Sequence, residues 1–129
     1  MMDVDALKIA KKLDKDIHFL ESIDDHIKAL DGIPISKIVA FLKKIDESEE
    51  CVAKFVDCYT KGYFTELMSS INGFPMYSPS IIEERDPILY NRMKVFLESG
   101  DCIILVGTFH MPGIHKLLDE DGYRTKKIW

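Results

Sequence analysis

The chain has 129 residues, of which 47% are apolar and 30% charged, and its formal net charge is −5. A chain of this length buries roughly two-thirds of the surface that it exposes when unfolded, which is enough for one domain with a hydrophobic core. The composition excludes collagenous, low-complexity and disordered proteins. The acidic balance, and the lack of any run of roughly 20 apolar residues, predict no nucleic-acid partner and no membrane span.

The N-terminal residues and the cysteines bear on the location of the protein. Met1 to Asp5 include no basic residue and no apolar run, so they do not encode a secretory signal. Three cysteines cannot all pair, which favours a reducing compartment. We therefore expect a cytoplasmic protein if the chain is complete, whereas a missing N-terminal segment would leave its location open.

The first elements in chain order are a helix, a strand and a second helix. Apolar residues at helical spacing predict a helix from Asp3 to Leu13. The apolar run Ile17 to Leu20 predicts a short strand that ends at Glu21. Ser22 is placed to cap the next helix, which spans Ile23 to Leu30.

The middle of the chain is predicted to be helical. Apolar stripes predict a helix over 36–46, a second that ends near Gly62, and a third over 63–71. After a loop, Ser80 is predicted to cap a long helix that continues through Glu98. Pro87 either kinks that helix or lies in the first turn of its second half.

The C-terminal residues predict a strand–helix–strand unit. Residues 102–106 are all apolar, which is typical of a strand buried on both sides. A helix over 112–118, ended by Gly122, and a strand over 123–129 follow. This βαβ unit implies parallel pairing. The predicted fold is therefore α/β and helix-rich, with a small, largely parallel sheet of about three strands.

Two of the predicted strands end at residues that can carry chemistry. Ligand sites in open α/β sheets lie outside the carboxyl ends of the strands, where Gly107 would allow a tight turn and His110 could reach the crevice. Glu21 ends the other strand and could pair with His110 as an acid, base or ligand. The structural alternatives are a histidine that only satisfies the core and a surface glutamate.

Charged residues precede the long helix. Arg85, next to Asp86, could bind a substrate carboxylate or orient an acid in a site. The alternative is a charge run that only contacts solvent.

The motifs Leu20-Glu21-Ser22, Arg85-Asp86-Pro87 and Gly107-Thr108-Phe109-His110 follow one another in this order along the chain. In these motifs and their order the chain resembles the TraB/GumN family, which includes pheromone-shutdown proteins and Tiki proteases. The family's C-terminal signature is Arg-Asn or Arg-Asp opening a helix, an apolar strand into Gly-x-x-His-Leu-x-Gly, and a leucine-rich helix closing at Gly-Tyr. Its Leu-Glu-Thr strand end is similar to Leu20-Glu21-Ser22. The C-terminal residues that match are Arg85-Asp86-Pro87, Met93, Ile103 to Gly113, Leu117-Leu118 and Gly122-Tyr123.

The resemblance implies a metal-dependent hydrolase or protease site made of two Gly-x-x-His motifs, a glutamate and an arginine. Gly107 and His110 match the second motif, Glu21 the glutamate and Arg85 the arginine, and Asp86 stands where the family has Asn or Asp. The implied roles are catalytic for Glu21, Arg85 and His110, substrate-binding for Arg85, Asp86 and Gly107, and metal-ligating for Glu21 and His110.

The chain departs from the family at its start, where the first Gly-x-x-His is absent. We therefore expect residues 1–129 to form a single TraB/GumN-like domain that lacks the strand carrying that motif, equivalent to the C-terminal half of the family domain. One histidine and one glutamate are fewer than the three protein ligands of most catalytic metal sites. The expectation is that Mn, Co or Zn binds weakly or not at all, and that the chain alone is inactive.

The partners expected from this interpretation are a peptide or protein substrate and either a second copy or a complementing chain that supplies the missing histidine. An alternative is a non-catalytic regulatory or protein-interaction module of the same fold, with an exposed sheet edge. A third is an unrelated small intracellular α/β protein, which a wide separation of Glu21, Arg85 and His110 would favour.

Overall fold

The computed structural model describes residues 2–70, 74, 75 and 77–126. In this part of the chain there are seven α-helices and two short 3₁₀ helices. The α-helices are α1 (Met2–Lys12), α2 (Ile23–Asp31), α3 (Ile35–Leu42), α4 (Ser48–Lys61), α5 (Phe64–Ser70), α6 (Asp86–Ser99) and α7 (Met111–Glu120); the 3₁₀ helices are Ile45–Glu47 and Thr108–His110. No helix among these residues combines the length and the apolar character that a bilayer crossing requires.

The predicted α/β fold with about three strands is wrong for the described residues, which contain no strand. Residues 17–20, 102–106 and 123–126 form neither a helix nor a strand, and 127–129 lie outside the described residues. A strand forms only where its backbone hydrogen-bonds to a neighbour. No described residue donates to or accepts from the backbone of 102–106. The parallel sheet and the βαβ unit are therefore replaced by helices joined by irregular segments.

Ser22 caps the start of α2, as the sequence predicted. The Ser22 hydroxyl accepts a hydrogen bond from the Asp25 N–H at 3.1 Å, and the Ser22 N–H donates to Asp25 Oδ2 at 3.0 Å. This reciprocal capping box satisfies two backbone donors that the first turn would otherwise leave unpaired. The segment immediately before it carries Glu21, so the cap fixes the chain next to that residue.

The start of α6 lies later in the chain than predicted. Residues 79–85 form turns, and the helix begins at Asp86, so Ser80 does not cap it. Pro87 lies in the first helical turn, where its missing N–H costs nothing and its fixed φ suits the helix. Gly100 ends α6 with φ of 76°, as the sequence predicted, and the left-handed region favours glycine there.

The main hydrophobic cluster lies between α6 and α7. Leu89, Tyr90, Met93 and Ile114 are its fully buried members. The partly buried residues that pack against it are Leu20, Leu97, Ile104, Val106, Leu117 and Leu118. Two of the segments predicted as strands therefore contact the same helix pair through Leu20, Ile104 and Val106.

The outward side of residues 102–106 is exposed. Ile103 is 90% exposed and Leu105 is 44% exposed, while Ile104 and Val106 contact the core. The prediction that this segment is buried on both sides is therefore wrong, because only alternate side chains face the helices.

A second cluster joins α2 to the turns before α6. Ala29, Ile81 and Ile82 are buried, and Ile33, Tyr77 and Phe109 pack against them. The candidate site residues are sequence neighbours of these two clusters: Leu20 precedes Glu21, and Phe109 precedes His110. Packing of the apolar neighbours thus places the polar side chains.

Candidate functional site

Four predicted site residues lie where three helices begin. Glu21 immediately precedes the cap of α2, Arg85 is the residue before α6, Asp86 is the first residue of α6, and His110 immediately precedes α7. Glu21 contacts Arg85 and Asp86 contacts His110. Because Arg85 and Asp86 are consecutive, the two pairs form one cluster, and the wide separation that would favour an unrelated α/β protein is not observed.

Glu21 and Arg85 form a two-pronged ion pair. Arg85 Nε donates to Glu21 Oε1 at 2.8 Å, and Arg85 Nη2 donates to Oε2. Arg85 Nη1 donates to the Ile81 carbonyl at 2.9 Å, which fixes the guanidinium against the preceding turn. The hydrogen bond from Arg85 lowers the pKa of Glu21, burial opposes this change, and the nearby His26 and His110 lower the pKa slightly further. Glu21 is therefore held as a carboxylate.

Asp86 and His110 form a second, more deeply buried pair. Asp86 Oδ1 lies 2.6 Å from His110 Nδ1, and the two residues are 6% and 8% exposed. Burial raises the pKa of Asp86, and the hydrogen bond with His110 opposes that rise. The pair leaves Nε2 of the imidazole without a protein partner among the described residues.

Gly113, in the first turn of α7, makes room for the Asp86 carboxylate. A Cβ at this position would lie 1.8 Å from Asp86 Oδ2 and 2.6 Å from its Cγ. Only glycine therefore allows the carboxylate to lie against the start of α7. Gly113 lies in the run of residues that resembles the family, but no role was predicted for it.

The backbone conformation at position 107 does not require glycine. Its φ and ψ are −60° and 142°, which any residue adopts, so the expected tight turn does not depend on a glycine. A Cβ there would meet only Cδ2 of His110, at an ordinary contact distance of 3.6 Å. Gly107 therefore leaves space beside the imidazole edge that includes Cδ2.

Arg92 is a residue that the sequence analysis missed. Its Nη1 donates to the Leu20 carbonyl and to Asp25 Oδ2, both at 2.7 Å, and so it holds the chain on both sides of Glu21. The hydrogen bond from Arg92 lowers the pKa of Asp25, with further contributions from Ser22. The signal was its spacing: seven residues after Arg85 is two helical turns, on the same face of α6.

An open groove lies beside Glu21. Its volume is about 850 Å³. It is lined by Phe19, Leu20, Glu21, Ser22, Ile23, Asp25 and Arg92. Phe19 and Ile23 are each 80% exposed, so apolar side chains border two carboxylates, Glu21 bound by Arg85 and Asp25 bound by Arg92.

The described residues do not provide the ligands of a catalytic metal. No group of three or more His, Cys, Asp or Glu side chains among them is placed to hold one ion, and catalytic zinc usually takes three protein ligands. Glu21 and His110, the two predicted ligands, each already bind a protein partner. The ligands that the described residues offer do not by themselves fit a resident metal, and the metal roles of both residues stay predictions.

Comparison with known proteins gives one match. The sequence model described as the TraB/PrgY/gumN family matches residues 1–127. No curated protein and no solved structure matches the chain. The match spans nearly the whole sequence and confirms the resemblance found from its motifs.

Proposed function

The chain belongs to the TraB/PrgY/gumN family, and we propose that it carries one part of a hydrolase site for peptides or proteins. The observation that supports the proposal is the convergence of Glu21, Arg85, Asp86 and His110 at the starts of three helices. Charged groups with fixed partners at one place are typical of sites that bind and transform a substrate.

His110 and Arg85 have complementary roles in this proposal. With Nδ1 of His110 bound to Asp86, Nε2 is the remaining ring nitrogen, and it accepts or delivers a proton when it holds no ion. The guanidinium of Arg85 has five N–H donors, of which three bind Glu21 and Ile81. The remaining two can bind a substrate carboxylate or the negative charge that develops on a carbonyl oxygen.

The site is incomplete in the proposed function. Among the described residues, no third His, Cys, Asp or Glu side chain is placed to bind one ion together with Glu21 and His110, so we propose that this chain alone does not hydrolyse peptides. A second chain would have to supply the missing histidine.

Metal binding and peptidase activity test this proposal together. The purified chain is equilibrated with Mn²⁺, Co²⁺ or Zn²⁺, bound metal is measured after gel filtration, and hydrolysis of labelled casein is followed with each ion. We expect less than one retained ion per chain, no hydrolysis above background, and weak binding in equilibrium titrations that His110→Ala and Glu21→Gln abolish.

The matched control is His115→Ala. His115 is an exposed histidine of α7 whose ring contacts Thr125 and Asp119, so its removal should leave metal binding unchanged. One tightly held ion per chain that is lost on His110→Ala, or casein hydrolysis by the chain alone, would contradict the incomplete site. Equal metal binding by the wild type, His110→Ala, Glu21→Gln and His115→Ala would contradict the prediction that Glu21 and His110 are metal ligands.

A second candidate function is a non-catalytic module that pairs with another copy of itself. The observation that favours it is the outward side of 102–106, where Ile103 is 90% exposed and the backbone has no hydrogen-bond partner among the described residues. Such a segment can add to a second chain through main-chain hydrogen bonds.

Light scattering over a wide concentration range tests the second candidate. We expect a dimer that Ile103→Lys converts to a monomer. Val95→Lys, which changes an apolar residue of α6 that is 62% exposed, should leave the dimer intact. A strict monomer at all concentrations would rule out this function.

A further inference from the structure

We propose that Asp86 is a positioning residue that fixes the tautomer of His110, and that Gly113 gives Asp86 the space to do so. The inference rests on the proposed function, in which His110 is the group that exchanges a proton. It assigns Asp86 a different part from the substrate contact that the family resemblance implies.

The first argument is the hydrogen bond itself. Asp86 Oδ1 and His110 Nδ1 are 2.6 Å apart, a short distance for a nitrogen–oxygen hydrogen bond and typical of a charged partner. An ionised carboxylate only accepts hydrogen bonds, so in the proposal Asp86 is the acceptor and Nδ1 carries the proton. The lone pair of the neutral ring is then on Nε2, which is the atom left for substrate or ligand.

The second argument is that both partners are held from their backbones. The Asp86 N–H donates to the Ile82 carbonyl, and the His110 N–H donates to the Gly107 carbonyl, both at 2.9 Å. The helix that begins at Asp86 and the helix that begins immediately after His110 pack against each other in the cluster that includes Leu89 and Ile114. The distance between the carboxylate and the ring is therefore set by the contact between α6 and α7.

The third argument is the surroundings of the second carboxylate oxygen. Asp86 is 6% exposed, and its Oδ2 lies where a Cβ on Gly113 would be 1.8 Å away. This oxygen thus faces the backbone of α7. With one oxygen on His110 and the other against the α7 backbone, the carboxylate is well placed to orient its neighbour and poorly placed to contact a substrate.

The tautomer can be read by nitrogen NMR of the imidazole rings in protein labelled with ¹⁵N-histidine, free of metal and at a pH where the rings are neutral. We expect the Nδ1–H form of His110 to exceed the other by about tenfold or more, as a hydrogen bond to a charged group implies. Asp86→Asn should remove most of this preference, because an amide can donate to Nδ1 or accept from it. Gly113→Ala should do the same with Asp86 still present.

The spectrum of His115 is the internal control, since the ring nitrogens of this exposed histidine of α7 contact Thr125 and Asp119. A wild-type His110 with the proton on Nε2 would overturn the proposal, as would variants that keep the wild-type ratio. If Asp86→Asn does not fold, the spectra of the wild type and of Gly113→Ala still show whether Asp86 fixes the tautomer of His110. The measurement needs no activity: a fixed tautomer in a protein whose metal binding ignores His110→Ala would contradict only the proposed function.

Discussion

Replacing Gly113 with alanine adds one methyl group where α7 lies against the buried carboxylate of Asp86. On the solvent-exposed face of a helix this change stabilises the folded protein by about 1 kcal/mol, because glycine is the poorer helix former. Here the new Cβ would be 1.8 Å from Asp86 Oδ2, so the carboxylate must rotate or the two helices must separate by more than about 1 Å. Either movement disturbs the hydrogen bond to His110.

The expected size of the effect follows from these opposing contributions. Overpacking costs about 1–3 kcal/mol, and leaving a buried polar group unpaired costs about 1–3 kcal/mol more. After subtracting the gain in helix propensity, we expect Gly113→Ala to lower the free energy of unfolding by about 3 kcal/mol. For a chain of this length the Tm should fall by roughly 10–15 °C.

Urea denaturation followed by circular dichroism measures this loss, with an unchanged m-value showing that the unfolding transition is comparable. In an Asp86→Ala background the same substitution should cost little or stabilise, because the carboxylate is gone. Gly107→Ala is the matched control, and it should be neutral or slightly stabilising at its φ of −60°. Equal stabilisation by Gly113→Ala in both backgrounds would refute the reasoning.

Three further predictions concern other named contacts. The hydrogen bond from Arg85 lowers the pKa of Glu21 from 4.5, so the ion pair stabilises the fold fully above pH 4.5 and less as the pH falls through the folded-state pKa. Glu21→Gln should therefore weaken the loss of stability at acidic pH, measured by urea denaturation as a function of pH. An unchanged loss would contradict this prediction. The Tyr90 hydroxyl donates to Asp121 Oδ2 at 2.7 Å. Burial and this hydrogen bond raise the pKa of Tyr90 to about 12, so the free energy of unfolding should fall above pH 10 and the phenol should titrate late by ultraviolet absorbance. A normal titration would exclude the contact. Ser22→Ala should cost about 1 kcal/mol in urea denaturation through loss of the cap, and no loss would show that the cap is dispensable.

The sequence predicted helix ends better than it predicted strands, for a physical reason. Caps such as Ser22 and terminators such as Gly100 act through their own few residues, so local sequence specifies them. A strand needs a partner elsewhere, and hydrophobic periodicity reports burial but not pairing. Residues 102–106 are apolar at every position, yet only Ile104 and Val106 are even partly buried, and the described residues include no backbone partner for the segment.

The candidate site was predicted by residue type but not by contact. The motifs identified Glu21, Arg85, Asp86 and His110, and the structure brings all four together. Which partner each one binds depends on how α6 packs against α7, and that packing is set by many distant side chains. Arg92 was missed for the same reason: its spacing from Arg85 indicates a shared helix face but does not identify the carbonyl that it binds.

The exposed side of residues 102–106 also has a consequence for handling the protein. The five residues contain neither a charge nor a proline, and short segments of this kind with unpaired backbones stack readily into cross-β aggregates. Asp101, immediately before them, is the only charge that adjoins the segment in sequence, and such flanking charges oppose stacking. The solubility limit of the protein should therefore depend on Asp101, a residue outside every proposed functional contact.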